Sequence, residues 1–203
     1  MTRKNHGSRG KNVAIGVALY CAAVVAGVGS AWWVLKQAPW MRHIVQVGAW
    51  QTDLTVGGPS ANMYLRAWVA LNGLLVLERS ETMYFVANKD DTGRPLRSRC
   101  TYRVEGVEPK ARWWSITAYA DDMFLFDAPQ GHYSLNGSTA RLDRNGRFAL
   151  TTGGTEQALT HWLPTPGDRG VVLTLRLYNP EPSLQAAPGS LVAPSIVRVG
   201  ECL

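Results

Sequence analysis

Hydrolytic chemistry in this chain would have to come from Asp121, Asp122, Asp127, Glu81 and Glu156, with His132 or His161 as the base. Two carboxylates can divide acid and base roles when their surroundings push their pKa values apart. The adjacent pair Asp121-Asp122 also sits where a tight turn wants Asp for local hydrogen bonds, so the same residues read as turn chemistry. No G-x-S-x-G elbow occurs, Ser115 and Ser134 fall in strand-like runs, and no catalytic residue is assigned. Of the four histidines, His6 lies in the N-terminal tail and His43 just behind a long apolar segment. There is no H-x-x-x-H or C-x-x-C spacing, so neither a metal nor a cofactor is expected.

A second group suits recognition. Aromatic rings beside Arg or Asp stack on sugars and hydrogen-bond their hydroxyls, a common use of a β-sheet surface. The residues expected to bind a ligand are Trp113, Tyr119, Asp127, His132, Trp162 and Arg176, with Tyr133 and Tyr178 also on wet faces. Large aromatics fill sandwich cores as well, and Arg176 reads either as the outward residue of its strand or as half of an ion pair with Asp127 or Glu81. Cys100 and Cys202 are the only thiols outside the apolar segment. In an oxidising compartment they are expected to form a disulfide that ties the C-terminus to the core.

The elements that would position these groups follow from periodicity. In residues 112–127, RWWSITAYADDMFLFD, Trp113, Ser115, Thr117 and Tyr119 alternate with Trp114, Ile116 and Ala118. A polar break and a second apolar run follow, which predicts a central hairpin with Trp114, Ile116 and Ala118 facing the core. Met83, Phe85 and Ala87 share a face, as do Cys100, Tyr102 and Val104, and Val171, Leu173, Leu175 and Leu177. Asn136-Gly137 and Asn145-Gly146 are strong hairpin-turn dipeptides. Seven or eight short strands predict an all-β fold, an antiparallel β-sandwich or jelly roll. Residues 180–194, rich in Pro, are expected to run extended over the surface.

Ahead of the strands lie one short helix and one long one. Ser60 reads as an N-cap, and Tyr64, Trp68, Leu71 and Leu75 mark one face of an amphipathic helix that Gly73 loosens or ends. Residues 37–58, with Trp40 and Trp50, read as a connector meeting the membrane surface. Residues 13–35 carry no charge and are long enough to cross a bilayer, with Trp32, Trp33 and Trp40 where an interfacial belt belongs. Arg3, Lys4, Arg9 and Lys11 precede them with no acid, which predicts a cytoplasmic N-terminus; a cleaved signal ending near Gly29-Ser30-Ala31 is the rival. That tail supplies most of the formal +6 charge, so the folded part is nearly neutral and no nucleic-acid partner is expected. Ala22, Ala26 and Ser30, and again Ala23, Gly27 and Ala31, form small-residue ladders that suit a homodimer of membrane helices as well as ordinary span composition.

Arg112-Trp113-Trp114-Ser115-Ile116-Thr117-Ala118-Tyr119, Trp162-Leu163-Pro164 and Leu175-Arg176-Leu177-Tyr178-Asn179-Pro180, in this order, resemble the domain of unknown function 1214 family in its short membrane-anchored bacterial form. The likeness covers roughly residues 74–203. It implies a β-rich, jelly-roll-like domain, which larger relatives pair with a second uncharacterised domain, and it implies no activity. This chain has His161 where the family usually has Asn. It also has Asp121-Asp122-Met123 where the family's turn carries Asp and Gly.

These readings give a basic cytoplasmic tail (1–12), a transmembrane helix in the lipid bilayer (13–35), a linker with an amphipathic helix (36–78) and a periplasmic β-sandwich (79–203). The expected function is binding or scaffolding an envelope glycan or protein from the bacterial inner membrane. The alternative is a carbohydrate-active or other periplasmic hydrolase using Asp and His in a surface cleft. The topology is checked by fusion: alkaline phosphatase at the C-terminus is expected to be active, and an ordinary fluorescent protein there dark. The reverse pattern would place the C-terminal residues in the cytoplasm.

Overall fold

A computed structural model of the chain describes residues 6–37, 43–58, 61, 63–71, 76–128, 131–153, 161–200 and 202. It begins with helix α1 (His6–Gln37), roughly 48 Å long at 1.5 Å per residue. Within it Gly10–Val34 is long and apolar enough to cross a membrane, and its residues 10–33 are exposed. Such a helix suits an anchor or a signal sequence. A second helix, α2 (Met63–Leu71), lies beside α1. Its Leu65 is buried and Tyr64 exposed, so the expected stripe is not followed at its first member. The predicted cap Ser60, together with Gly73 and Leu75, lies outside the described residues.

The remainder is mostly β: two sheets forming a sandwich-like domain. One sheet has six strands, in the order β1 (Ile44–Val47), β2 (Trp50–Asp53), β3 (Thr82–Ala87), β9 (Val171–Pro180), β5 (Ala111–Ala120) and β6 (Ser134–Asn136). The other has four: β10 (Ser195–Val199), β4 (Thr101–Val107), β7 (Arg147–Gly153) and β8 (His161–Pro164). Pairing is antiparallel except between β7 and β8, which run parallel.

Three central strands of the larger sheet align their apolar residues in rows. Met83, Leu177 and Trp114 form one row, Phe85, Leu175 and Ile116 the next, and Ala87, Leu173 and Ala118 a third. All nine are buried. Each fully buried large side chain in such a row contributes about 1.5–3 kcal/mol relative to an exposed one. From the facing sheet Tyr102, Val104, Phe148, Leu150, Leu163 and Ile196 close the core. Trp114 bridges the layers, its ring 4.7 Å from that of Phe148 and its indole N–H donating to Glu108.

Several elements differ from the sequence expectation, each because a distant partner decides them. The run after β5 makes a turn but not a strand: only Tyr119 and Leu125 bridge, Phe124 and Leu125 are exposed, and Phe126 alone is buried. The partners of β5 are β9 and β6, which lie far along the chain. Residues 44–53, read as part of a connector at the membrane surface, form the β1–β2 hairpin on the edge of the larger sheet. Its two-residue turn needs a positive φ at the first position, and Gly48 supplies it at 60°. Trp50 is fully buried, and its indole donates to Pro194 O at 2.7 Å. Asn136-Gly137 and Asn145-Gly146 do make turns, yet residues 140–143 between them form no strand. The Pro-rich tail is not simply extended, because helix α3 (Pro182–Ala186) and a 3-10 turn (Pro188–Ser190) lie in it. Leu184 and Leu191 are buried there, and β10 follows.

Cys100 and Cys202 are joined, with Cα atoms 4.2 Å apart. Cys100 precedes β4 and Cys202 follows β10, and those strands are neighbours, so the bond closes the open end of a strand pair. The two Trp of β5 separate core from surface: Trp114 is 1% exposed and Trp113 37%. In the full chain held in detergent, Trp114→Ala is expected to lower the unfolding free energy by about 3–5 kcal/mol. Trp113→Ala is expected to cost only about 1 kcal/mol, the scale of one aromatic contact. Denaturant titration followed by circular dichroism distinguishes the two.

Candidate functional site

The outer face of the larger sheet is set by the same alternation that fills the core. Opposite each core row lies a mainly polar or aromatic one: Thr82, Tyr178 and Trp113; then Tyr84, Arg176 and Ser115; then Val86, Thr174 and Thr117, with the small Thr82, Ser115, Thr117 and Thr174 buried between the larger side chains. Trp113 meets Tyr178 edge-to-face at 5.1 Å, and its indole N–H donates to Ser138 Oγ at 3.2 Å. Arg176 donates to Tyr119 Oη at 2.8 Å and to Thr117 Oγ1 at 3.3 Å, its guanidinium 5.3 Å from the centre of the Tyr119 ring. Thr117 and Tyr119 stand opposite Thr174 and Val172, so the Arg176 side chain runs along β9 across Thr174. That accounts for the burial of Thr174, whose hydroxyl has no hydrogen-bond partner among the described residues.

Arg176 is therefore not half of an ion pair with Asp127 or Glu81. Among the described residues it has neutral hydroxyl partners and no carboxylate within ion-pair distance. Glu81 instead accepts from Asn179 Nδ2 at 3.4 Å. A guanidinium has five N–H donors, and these two bonds leave capacity for an incoming acceptor.

The six residues expected to bind a ligand do not form a single cluster. Tyr119 and Arg176 touch, and Trp113 shares their face through Tyr178. Trp162 belongs to β8 in the other sheet, half-buried, its indole donating to Gly153 O at 3.0 Å. Asp127 is exposed beyond the β5 turn and has no hydrogen-bonding or ionic partner among the described residues. His132 is exposed just ahead of β6 and acts on His161 through charge. Sequence reasoning passed over Tyr84, and it placed Thr174 on the outward face of its strand without counting it towards the site. The signal for both was available, since Tyr84 alternates with Met83, Phe85 and Ala87, and Thr174 with Leu173, Leu175 and Leu177.

The hydrolytic groups are taken up in local structure. Asp122 pairs with Arg169 and accepts from the Phe124 N–H at 3.1 Å. That N–H and the guanidinium hold its carboxyl below the usual range, which favours the carboxylate rather than an acid. Arg169 in turn lies over the Phe126 ring at 5.9 Å. The turn they brace holds Met123 at φ 66°, a conformation that costs a non-glycine residue about 1–2 kcal/mol. This is the turn where the resemblance anticipated a Gly. Glu156 lies outside the described residues. A depression of about 430 Å³ is lined by Leu54, Val56, Glu78, Arg79, Pro182 and Gln185 among others, with one carboxylate and no His. Arg79 ties its walls together, donating to Leu54 O at 2.5 Å and Gln185 O at 3.4 Å. No group of three or more His, Cys, Asp or Glu that could hold a metal occurs among the described residues.

Residues 81–182, half of the chain, match the family described as protein of unknown function, DUF1214. The chain belongs to the DUF1214 family. The matched part contains β3 to β9, and so the whole of the Trp113–Arg176 face. In structure this DUF1214 chain is similar to the VPA0106 protein of Vibrio parahaemolyticus, with a TM-score of 0.57 and 21% identity. The likeness covers 69% of this chain and 36% of that one, and it bears on the fold alone. An uncharacterised protein of Burkholderia cenocepacia aligns over 64% of this chain and 32% of its own length, at 17% identity and a TM-score of 0.48. This chain thus spans about a third of the length of either solved relative. No curated protein matches it.

His161 carries a testable pH dependence. Its Nε2 accepts from the Arg141 backbone N–H at 3.1 Å, so the ring is neutral with its proton on Nδ1. Burial first, then the charges of Arg141 and His132, hold its pKa below the ordinary value. Because the folded state resists protonation, the unfolded state binds more protons as pH falls. Stability is therefore full above about pH 6.5, the ordinary His value, and declines as pH drops towards the lowered folded value. Denaturant titrations between pH 8 and pH 5 are expected to show this decline. His161→Asn keeps an acceptor without a titrating ring and is expected to flatten the curve.

Proposed function

We propose that this DUF1214 protein is the short, membrane-anchored bacterial form of the family. On this reading α1 stays in the inner membrane and the β-domain binds a glycan of the cell envelope on the outer face of its larger sheet. The observation that carries the binding reading is the Trp113–Tyr178 edge, a partly exposed aromatic pair beside the hydroxyls and guanidinium of Tyr119, Thr117 and Arg176. Ring faces pack against the C–H faces of a sugar, while neighbouring polar groups orient its hydroxyls. The anchored arrangement draws support from the basic residues ahead of Gly10–Val34 and from the Cys100–Cys202 bond, which suits an oxidising compartment.

The hydrolase alternative finds no specific support, because Asp122 is held as a structural carboxylate and no acid orients either His132 or His161 among the described residues. The test is retention of the full chain, in detergent, on isolated cell-wall sacculi. Wild type is expected to sediment with the sacculi, and Trp113→Ala to remain in solution with its circular dichroism unchanged. Equal retention of the two would sink the proposed face.

A further inference from the structure

The outer face carries one feature that a neutral sugar does not explain. Arg176 places a charge at the centre of a sheet surface whose nearest groups, Thr117, Tyr119 and Ser115, are neutral hydroxyls. A half-buried guanidinium without a carboxylate is costly, because its lost hydration is only partly replaced by neutral acceptors and one aromatic ring. The remaining N–H donors form a fork suited to two oxygens of one anion. Beneath it the Thr174 hydroxyl is buried with no hydrogen-bond partner among the described residues, so this part of the sheet is not fully satisfied within them.

Distance along the strand fits a ligand with two ends. Arg176 lies two residues from Tyr178 on β9, and its guanidinium reaches towards Tyr119, opposite Val172. At about 3.3 Å per residue, the aromatic edge and the cation are separated by roughly 7–13 Å. We propose that this face selects an anionic saccharide, its oxyanion on Arg176 and a sugar ring against Trp113 and Tyr178. The inference rests on the glycan-binding reading above and narrows it to a charged glycan.

Three probes test it on the full chain in detergent by calorimetry. The disaccharide of N-acetylglucosamine and N-acetylmuramic acid carries a carboxylate; N,N′-diacetylchitobiose has the same sugar backbone without it; N-acetylglucosamine 1-phosphate carries phosphate instead. Wild type is expected to bind at least one charged probe about tenfold or more tighter than chitobiose, the scale of one charge-assisted hydrogen-bonded contact. Which of the two it prefers distinguishes a carboxylate from a phosphate source. Arg176→Gln is expected to abolish the preference and Arg176→Lys to retain part of it, with melting curves verifying that both variants fold. Should Arg176→Gln unfold, Arg176→Lys with a weaker preference than wild type carries the inference. Equal binding of charged and neutral probes, with loss of both in Trp113→Ala, would overturn the charge selection and leave the glycan face standing. Absence of binding to either charged probe overturns the inference as well, and the sacculus assay then judges the glycan reading separately.

Discussion

Strand β9 is the constraint on which the rest depends. It lies between β3 and β5, and its Leu173, Leu175 and Leu177 each meet one apolar residue on either side. Side chains alternate strictly between faces in a strand, so a slip of one residue would send all three leucines to the surface and Thr174, Arg176 and Tyr178 into the core. Burying the Arg176 charge in the apolar core would be prohibitive, and that penalty fixes the register as firmly as the leucines do. The outer face is thus a necessary by-product of the packed one.

Closure of the sandwich uses segments that come from both ends of the domain. Trp50 of β2 bonds Pro194, ahead of β10, across 144 positions of sequence. Cys202 is tied to Cys100 across 102 positions, and Arg79 holds the end of the β2 segment to α3. A sheet edge exposes unpaired backbone groups, so late and early segments that cover or extend the edges protect the central strands. These contacts also explain why the domain's polar chemistry is largely structural: Arg169 and Asp122 brace a loop, and Arg79 ties together the walls of the depression it lines.

Against that background Arg176 stands apart. The ion pairs among the described residues join exposed partners such as Arg103 and Glu105 or Lys110 and Glu181, which contribute little and orient surface chains. Arg176 lies deeper and, among the described residues, has only hydroxyls and a ring as partners. A surface that keeps such a group beside Trp113 and Tyr178 has the composition of a recognition face rather than of a solvated one.

The amino-acid sequence by itself determined the faces of the long strands, because alternation is a local property: Trp114, Ile116 and Ala118 inward, Trp113 outward, and the leucines of β9 together. It also determined the apolar N-terminal helix, where length and the absence of charge suffice, and the Cys100–Cys202 pair, where no other thiols competed outside that helix. Partnership was a different matter. Short strands such as β1, β2, β8 and β10 have too few residues to show a period, and they exist because a longer neighbour supplies their hydrogen bonds. The run after Asp122 is apolar enough for a strand, yet β6 and β9 had already taken both edges of β5. The candidate site divides in the same way: its residue types could be read from one strand at a time, whereas the meeting of Arg176 with Thr117 and Tyr119 required two strands 57 and 59 positions apart to be brought into register.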